Sequence, residues 1–195
     1  MTEFYFVRHG QIDSSLSDYG IYRGRGYNML PLSKTGIEQI RETAKRLEPK
    51  SCELIVSSPF GRALNSAAIL SKELSLDIRI ESGLHEWQPD KEDFEFLPCE
   101  EAQRRFDQLR RYGGDYPPDT DGGYETAEMM KRRVFAVLDK YTDHKRVIVV
   151  CHGTLMQYVL GIPHPENGEV SEFVYGCILF IRLRRSLYRR SGEDF

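Results

Sequence analysis

Two apolar runs that break off in the same way dominate the pattern of the chain. Phe4-Tyr5-Phe6-Val7 contains no polar position and ends in Arg8-His9-Gly10, and Val147-Ile148-Val149-Val150-Cys151 ends in His152-Gly153. Short unbroken apolar runs are the pattern of strands covered on both faces. A glycine directly after such a strand marks a turn or a close approach of backbone to a ligand. In open α/β sheets, ligands bind at the carboxyl ends of the strands. If the two strands are neighbours, two imidazoles stand side by side at that end.

Strand and helix periods alternate between these runs. Residues 11–30 are polar, Gly- and Tyr-rich and without periodicity, which predicts a loop. Apolar positions Ile37, Ile40, Ala44 and Leu47 predict a helix, with Ser33 or Thr35 as N-cap and Pro49 beyond its end. Glu53-Leu54-Ile55-Val56 is a short strand. Pro59 fits the first turn of a following helix that runs through Arg62, Ala67, Leu70 and Leu74. Residues 77–80 alternate as an edge-like strand, 88–98 form an acidic loop, and a helix passes through Glu101, Phe106 and Leu109. Residues 112–124 are turn-rich and too polar for core, the type of long excursion that forms lids or disordered segments. Helical spacing returns from Glu125 to Tyr141 and again after His152 up to Gly161, and Cys177–Ile181 reads as a last strand. Strands alternating with helices predict an α/β fold, a three-layer α/β/α sandwich around a mainly parallel sheet. No repeat or linker divides the chain, so one domain is expected over residues 1–195, its last few residues a flexible tail.

Charge and cysteine content narrow the partners. A net charge of -3 gives no reason to expect a nucleic-acid or membrane surface. The basic cluster Arg182, Arg184, Arg185, Arg189 and Arg190 reads as a solvated strand end and tail. Cys52, Cys99, Cys151 and Cys177 are widely spaced with no Cys-x-x-Cys pair, which fits a reduced protein without a zinc site. Cys151, in an apolar strand, reads as a structural thiol. With no leader pattern and no membrane-length apolar run, a cytoplasmic protein is expected.

The polar residues at strand ends and first helical turns carry the chemistry: Arg8, His9, Arg62, Glu86 and His152. Two arginines and two histidines suit a phosphoryl group, whose oxygens guanidinium groups clamp in pairs. Arg62 falls in a first helical turn, where a cation is disfavoured unless an anion joins it. The helix after His152 offers the backbone donors of Gly153 and Thr154 to the same end. Arg23 and Arg25, set among glycines, either hold an anion or belong to a solvated loop. A neutral imidazole can attack phosphorus and divide hydrolysis into two steps, and a carboxyl such as that of Glu86 can protonate the leaving oxygen. Each residue taken singly also has a structural reading, His as a hydrogen-bonder and Glu86 as a loop carboxylate.

The set resembles the histidine phosphatase superfamily, also called phosphoglycerate-mutase-like. The resemblance rests on Val7-Arg8-His9-Gly10, Pro31-Leu32-Ser33-Lys34-Thr35-Gly36, Ser57-Ser58-Pro59-Phe60-Gly61-Arg62-Ala63, Leu84-His85-Glu86 and Val150-Cys151-His152-Gly153, in the family's order. It implies the phosphoglycerate-mutase-like fold with His9 and His152 on adjacent strands. It further implies His9 as the phosphorylated nucleophile, Arg8, Arg62 and His152 as phosphoryl ligands, Glu86 as proton donor, and no metal or organic cofactor. Gln11, Ile12 and Ser15 stand where many members carry Glu, Thr and a phosphate-touching Asn, so Gln11 and Ser15 are further phosphate-binding candidates. Trp87-Gln88-Pro89-Asp90 departs from the usual Gly-x-Trp-Glu-Gly, and Tyr124-Glu125-Thr126 from Gly-Glu-Ser. The expected activity is hydrolysis of a small phosphorylated metabolite. A phosphomutase and a non-catalytic phospho-ligand binder are the competing readings. Oligomeric state leaves no trace in the sequence.

Overall fold

The computed structural model describes residues 1–92 and 97–176. Among the described residues five strands form one sheet: β1 (Thr2–Arg8), β2 (Leu54–Ser57), β3 (Ile78–Ile80), β4 (Arg146–Cys151) and β5 (Val170–Tyr175), in the order β3-β2-β4-β1-β5. All neighbours are parallel except β1 and β5. Among the described residues the α-helices are α1 (Lys34–Leu47), α2 (Gly61–Leu74), α3 (Cys99–Arg111), α4 (Ala127–Leu138) and α5 (Gly153–Leu160); α1 and α2 cover one face of the sheet, α4 and α5 the other, and α3 packs through Phe106 against Trp87. The fold is therefore α/β, as the alternation of periods predicts. Among the described residues no helix is long and apolar enough to cross a membrane.

The two-residue period of a strand sorts the buried run of β1 into two cores. Phe4 and Phe6 join Val147, Val149, Leu54 and Val56 in a cluster with α4 and α5. Tyr5 and Val7 join Ile148, Val150 and Ile55 in a cluster with α1 and α2. Phe4, Phe6 and Val7 are completely buried, each contributing about 1.5–3 kcal/mol of apolar transfer. The central strands thus have no polar face, which is why their sequences read as unbroken apolar runs.

Three details differ from the sequence reading. Pro59 precedes the first turn of α2, whose N-cap is Phe60. Residues 112–124 are not all outside the core: Tyr124 is fully buried, and its hydroxyl donates to the Asp115 carbonyl at 2.7 Å while Tyr116 Oη donates to the Tyr124 carbonyl at 2.7 Å. The aromatic rings supply apolar area that the glycines and aspartates around them conceal. Strand β5 pairs antiparallel with β1 in a stretch for which the sequence pattern predicts no strand. The strand expected at 177–181, the basic cluster beyond it and the tail lie outside the described residues. The N-cap of α1 is Ser33, whose Oγ accepts from Gly36 N at 3.0 Å.

Candidate active site

The register of the parallel pair β1–β4 builds the centre of the site. Arg8 stands opposite Cys151, so His9 and His152 leave adjacent strands at the same level. The His9 N–H donates to the Cys151 carbonyl at 3.1 Å, and the ring centroids of His9 and His152 are 5.2 Å apart, edge to face. His9 is 7% exposed and His152 0%. The backbone after His9 is pressed against α1: a Cβ on Gly10 would lie 2.4 Å from the Gly36 carbonyl oxygen, so only glycine fits. The Gly10 N–H donates to Ser66 Oγ at 3.1 Å, and Asn167 Nδ2 donates to the His9 carbonyl at 2.9 Å.

Hydrogen bonds assign the proton of each imidazole. His9 Nδ1 lies 2.8 Å from the Gly10 carbonyl oxygen, which only accepts, so Nδ1 carries the proton and Nε2 keeps its lone pair. His152 Nε2 lies 2.8 Å from Ser58 Oγ, which also accepts from Phe60 N at 3.3 Å. Ser58 is fully buried, so its hydroxyl proton goes to Nε2, and the ring proton then sits on Nδ1. That Nδ1 has no partner among the described residues. The site therefore presents one imidazole as a lone pair and the other as a donor.

Two guanidinium groups border the imidazoles. Arg8, at the end of β1, donates from Nη1 to the Pro165 carbonyl at 2.6 Å, while its buried Nε has no partner among the described residues. Arg62, in the first turn of α2, is 6% exposed and donates to Asn28 Oδ1 at 3.3 Å. Its guanidinium lies 5.1 Å from the centroid of the Phe60 ring, which also packs edge-on to His152 at 5.3 Å. Burial lowers the affinity of both arginines for their protons. Burial first, then Arg62, pushes His9 down to about 3. The same two causes, in the same order, hold His152 well below the ordinary imidazole range. Both rings are neutral beside two cations.

Glu86 reaches this group from the loop after β3. Its Oε1 accepts from Trp87 N at 2.9 Å and Leu155 N at 3.0 Å, and its Oε2 from Thr154 N at 3.3 Å. A carboxylate at a helix N-terminus is favoured by the helix dipole. The Thr154 N–H, expected to face a phosphate, is thus engaged by Glu86. Gly153 and Thr154 are buried in the first turn of α5. Gln11 and Ser15 are bound elsewhere: Gln11 Oε1 accepts from Ser33 Oγ at 3.2 Å, and Ser15 Oγ donates to Asp13 Oδ1 at 2.5 Å. Arg23 is exposed between two 3-10 turns, and Arg25 lies within the second, Gly24–Met29. The five residues Arg8, His9, Arg62, Glu86 and His152 come together; Gln11 and Ser15 are held in exposed hydrogen bonds and Arg23 is exposed.

Four partners of the site have no role in the sequence reading: Asn28, Ser58, Ser66 and Asn167. Ser58 had a usable signal, since a second small hydroxyl after β2 sits at the same sheet end as His152. The other three act across separations of 34, 56 and 158 residues and have no local signature.

The sequence model of the histidine phosphatase superfamily (branch 1) matches residues 4–168. An uncharacterized phosphatase, PhoE, of Bacillus subtilis is 31% identical over 163 residues, covering 82% of this chain and 76% of the relative. A probable phosphoglycerate mutase, GpmB, of Photorhabdus laumondii is 28% identical over 178 residues, covering 86% and 79%. The fold is shared with solved structures at 20% identity. Bacillus stearothermophilus YhfR gives a TM-score of 0.69 over 94% of this chain and 96% of that one. A mycobacterial glucosyl-3-phosphoglycerate phosphatase gives 0.65 over 89% and 90%. Spanning the sheet from β1 to the turn before β5, and with relatives named as phosphatases and as phosphoglycerate mutases, the chain belongs to the histidine phosphatase superfamily, branch 1.

Proposed function

We propose that this chain is a phosphatase that hydrolyses small organic phosphate monoesters through a phosphohistidine on His9, without a metal ion. His9 Nε2 attacks phosphorus, forming the P–N bond as the P–O bond to the leaving group breaks. Arg8, Arg62 and the His152 Nδ1–H hold the oxygens of the transferring phosphoryl, where its charge is spread. The departing oxygen takes a proton from Glu86. Water then attacks the phosphohistidine, gives a proton to Glu86, and releases inorganic phosphate as the P–N bond breaks.

One observation carries the reading. His9 is held neutral with its Nδ1 proton spent on the Gly10 carbonyl, leaving the Nε2 lone pair beside the buried guanidinium of Arg62 and the half-buried one of Arg8. A histidine that only shaped an anion site would serve better as a donor. Glu86 is given the acid role because its carboxyl stands at this group of residues: Oε1 takes two backbone bonds and Oε2 one longer bond, so Oε2 has the greater capacity left for a leaving oxygen.

The test is hydrolysis of an aryl phosphate with chelator present, followed by a screen of sugar phosphates, nucleotides and phosphoglycerates. Turnover by the wild type and its loss in folded His9→Ala are expected. Full activity in His9→Ala overturns the nucleophile. Binding of phosphate without any turnover points to a binding protein, and transfer of the phosphoryl to a second phosphoglycerate instead of water points to a mutase.

A further inference from the structure

The loop that carries Glu86 is held from one side by a single ion pair that the reaction itself does not use. Arg133 of α4 is 16% exposed and Glu125, two residues before that helix, is 8% exposed. Arg133 Nε donates to Glu125 Oε1 at 2.5 Å and Nη2 to Oε2 at 2.9 Å, a two-pronged pairing. The third nitrogen, Nη1, donates to the carbonyls of Gly83 and His85 at 2.6 and 2.9 Å. Glu125 holds the other flank. Its Oε2 accepts from Gln88 N at 3.2 Å, its carbonyl from Trp87 Nε1 at 2.7 Å, and its own N–H donates to the Gln88 carbonyl at 3.0 Å. Residues 83, 85, 87 and 88 are all fixed to the pair, and Glu86 lies between them.

The fit is tight enough to transmit small displacements. A Cβ on Gly83 would lie 2.7 Å from Val137 Cγ2 and 3.2 Å from the Arg133 carbonyl oxygen, so the loop rests directly on α4. A lysine at 133 keeps a positive charge near Glu125. Its single nitrogen cannot reproduce a planar fork that serves both oxygens of Glu125 and two loop carbonyls.

We propose that the Arg133–Glu125 pair is a positioning device for Glu86, setting where its carboxyl meets the leaving oxygen. The proposal rests on Glu86 being the proton donor, and the experiment separates the two ideas. Values of kcat/KM are measured on an alkyl phosphate, whose poor leaving group needs protonation, and on a nitrophenyl phosphate, whose leaving group does not. The proteins compared are wild type, Glu86→Gln, Arg133→Lys and the double variant.

A misplacement of about 1 Å at a reacting group costs on the order of 10²-fold. Arg133→Lys is therefore expected to lose about that factor on the alkyl phosphate and far less on the nitrophenyl ester. Because the pair acts through Glu86, adding Arg133→Lys to Glu86→Gln should cost little more; a merely structural defect would multiply in full. Should Arg133→Lys fail to fold, Glu125→Gln is read in the same way. Equal losses on both substrates by Arg133→Lys, or full multiplication in the double variant, with Glu86→Gln remaining selective for the alkyl ester, overturn the positioning role alone. A Glu86→Gln variant that loses equally on both substrates overturns the acid assignment and the positioning role with it.

Discussion

Arg62 is a cation placed where the protein alone gives it little compensation. It is 6% exposed and sits in the first turn of α2, and the charge of Glu86 offsets only part of the cost of burying it. Its side-chain partners are Asn28 Oδ1 at 3.3 Å and the face of Phe60. A buried charge compensated only in part is costly, and one at a helix N-terminus is opposed by the dipole as well. Arg62→Met keeps the aliphatic stem against Phe60 and removes the charge. The unliganded variant should be at least as stable as wild type, because a buried charge that Glu86 offsets only in part is replaced by an apolar group of similar shape. Anion binding should move the other way. Losing one charged partner of a desolvated pair costs about 2–5 kcal/mol, or roughly 30- to 4,000-fold in affinity for vanadate. Thermal unfolding with and without phosphate reads both effects. Phosphate at 100 times its Kd stabilises wild type by about 2.7 kcal/mol, a rise in Tm of roughly 5–11 °C for a chain of this size. Arg62→Met should show an unchanged or higher Tm without phosphate and at most about a third of the wild-type response to it. A variant that unfolds several degrees earlier yet keeps the phosphate response would refute the assignment of Arg62 to the anion site.

Two more outcomes follow from the buried histidines. The unfolded chain takes up protons on His9 and His152 near pH 6.5, whereas folded His9 resists protonation down to about 3. Their contribution to stability is complete above pH 6.5 and is lost as pH falls from there, by about 2 kcal/mol for His9 at pH 5, with His152 acting in the same direction. Urea unfolding from pH 8 to 5 should show this slope, and His9→Asn should reduce it by one histidine's share; an unaltered slope would mean that His9 is charged in the fold. Ser58→Ala leaves His152 Nε2 without its partner and frees the ring to change tautomer. It should cost about 1–3 kcal/mol in stability and lower kcat/KM on all substrates alike, and a variant with unchanged kinetics would remove Ser58 from the account.

The part of the site built by neighbouring strands was legible in the sequence. An apolar run ending in His-Gly requires a strand with a ligand-facing end, and the parallel register of β1 and β4 leaves the two rings no other relative position. The helix faces followed from simple periodicity, and the Ser33 cap from residue type. What escaped the reading depends on contacts between distant segments. The N-terminus of α5 looked free for an anion because nothing local shows that Glu86, some seventy residues earlier, reaches it. Tyr124 sits among glycines and aspartates, and only its packing with Tyr116 and Trp87 reveals a core residue. Strand β5 alternates Glu172, Phe173 and Tyr175 on an edge, a weak pattern that the more apolar residues 177–181 outweighed. The Arg133–Glu125 pair was hidden for the same reason: an arginine on a helix reads as a solvated face until its acceptors are seen.

The claim on which the account turns is that His9 carries the phosphoryl group between substrate and water. Rapid quenching of the enzyme into alkali during turnover, followed by digestion and mass spectrometry without acid, tests it directly, because phosphohistidine survives base and not acid. One phosphoryl group is expected on the peptide that contains His9, increased in Glu86→Gln as breakdown of the intermediate slows, and absent in His9→Ala. Turnover at the wild-type rate with no phosphorylated His9 peptide, or with the phosphoryl group on any other residue, would contradict it.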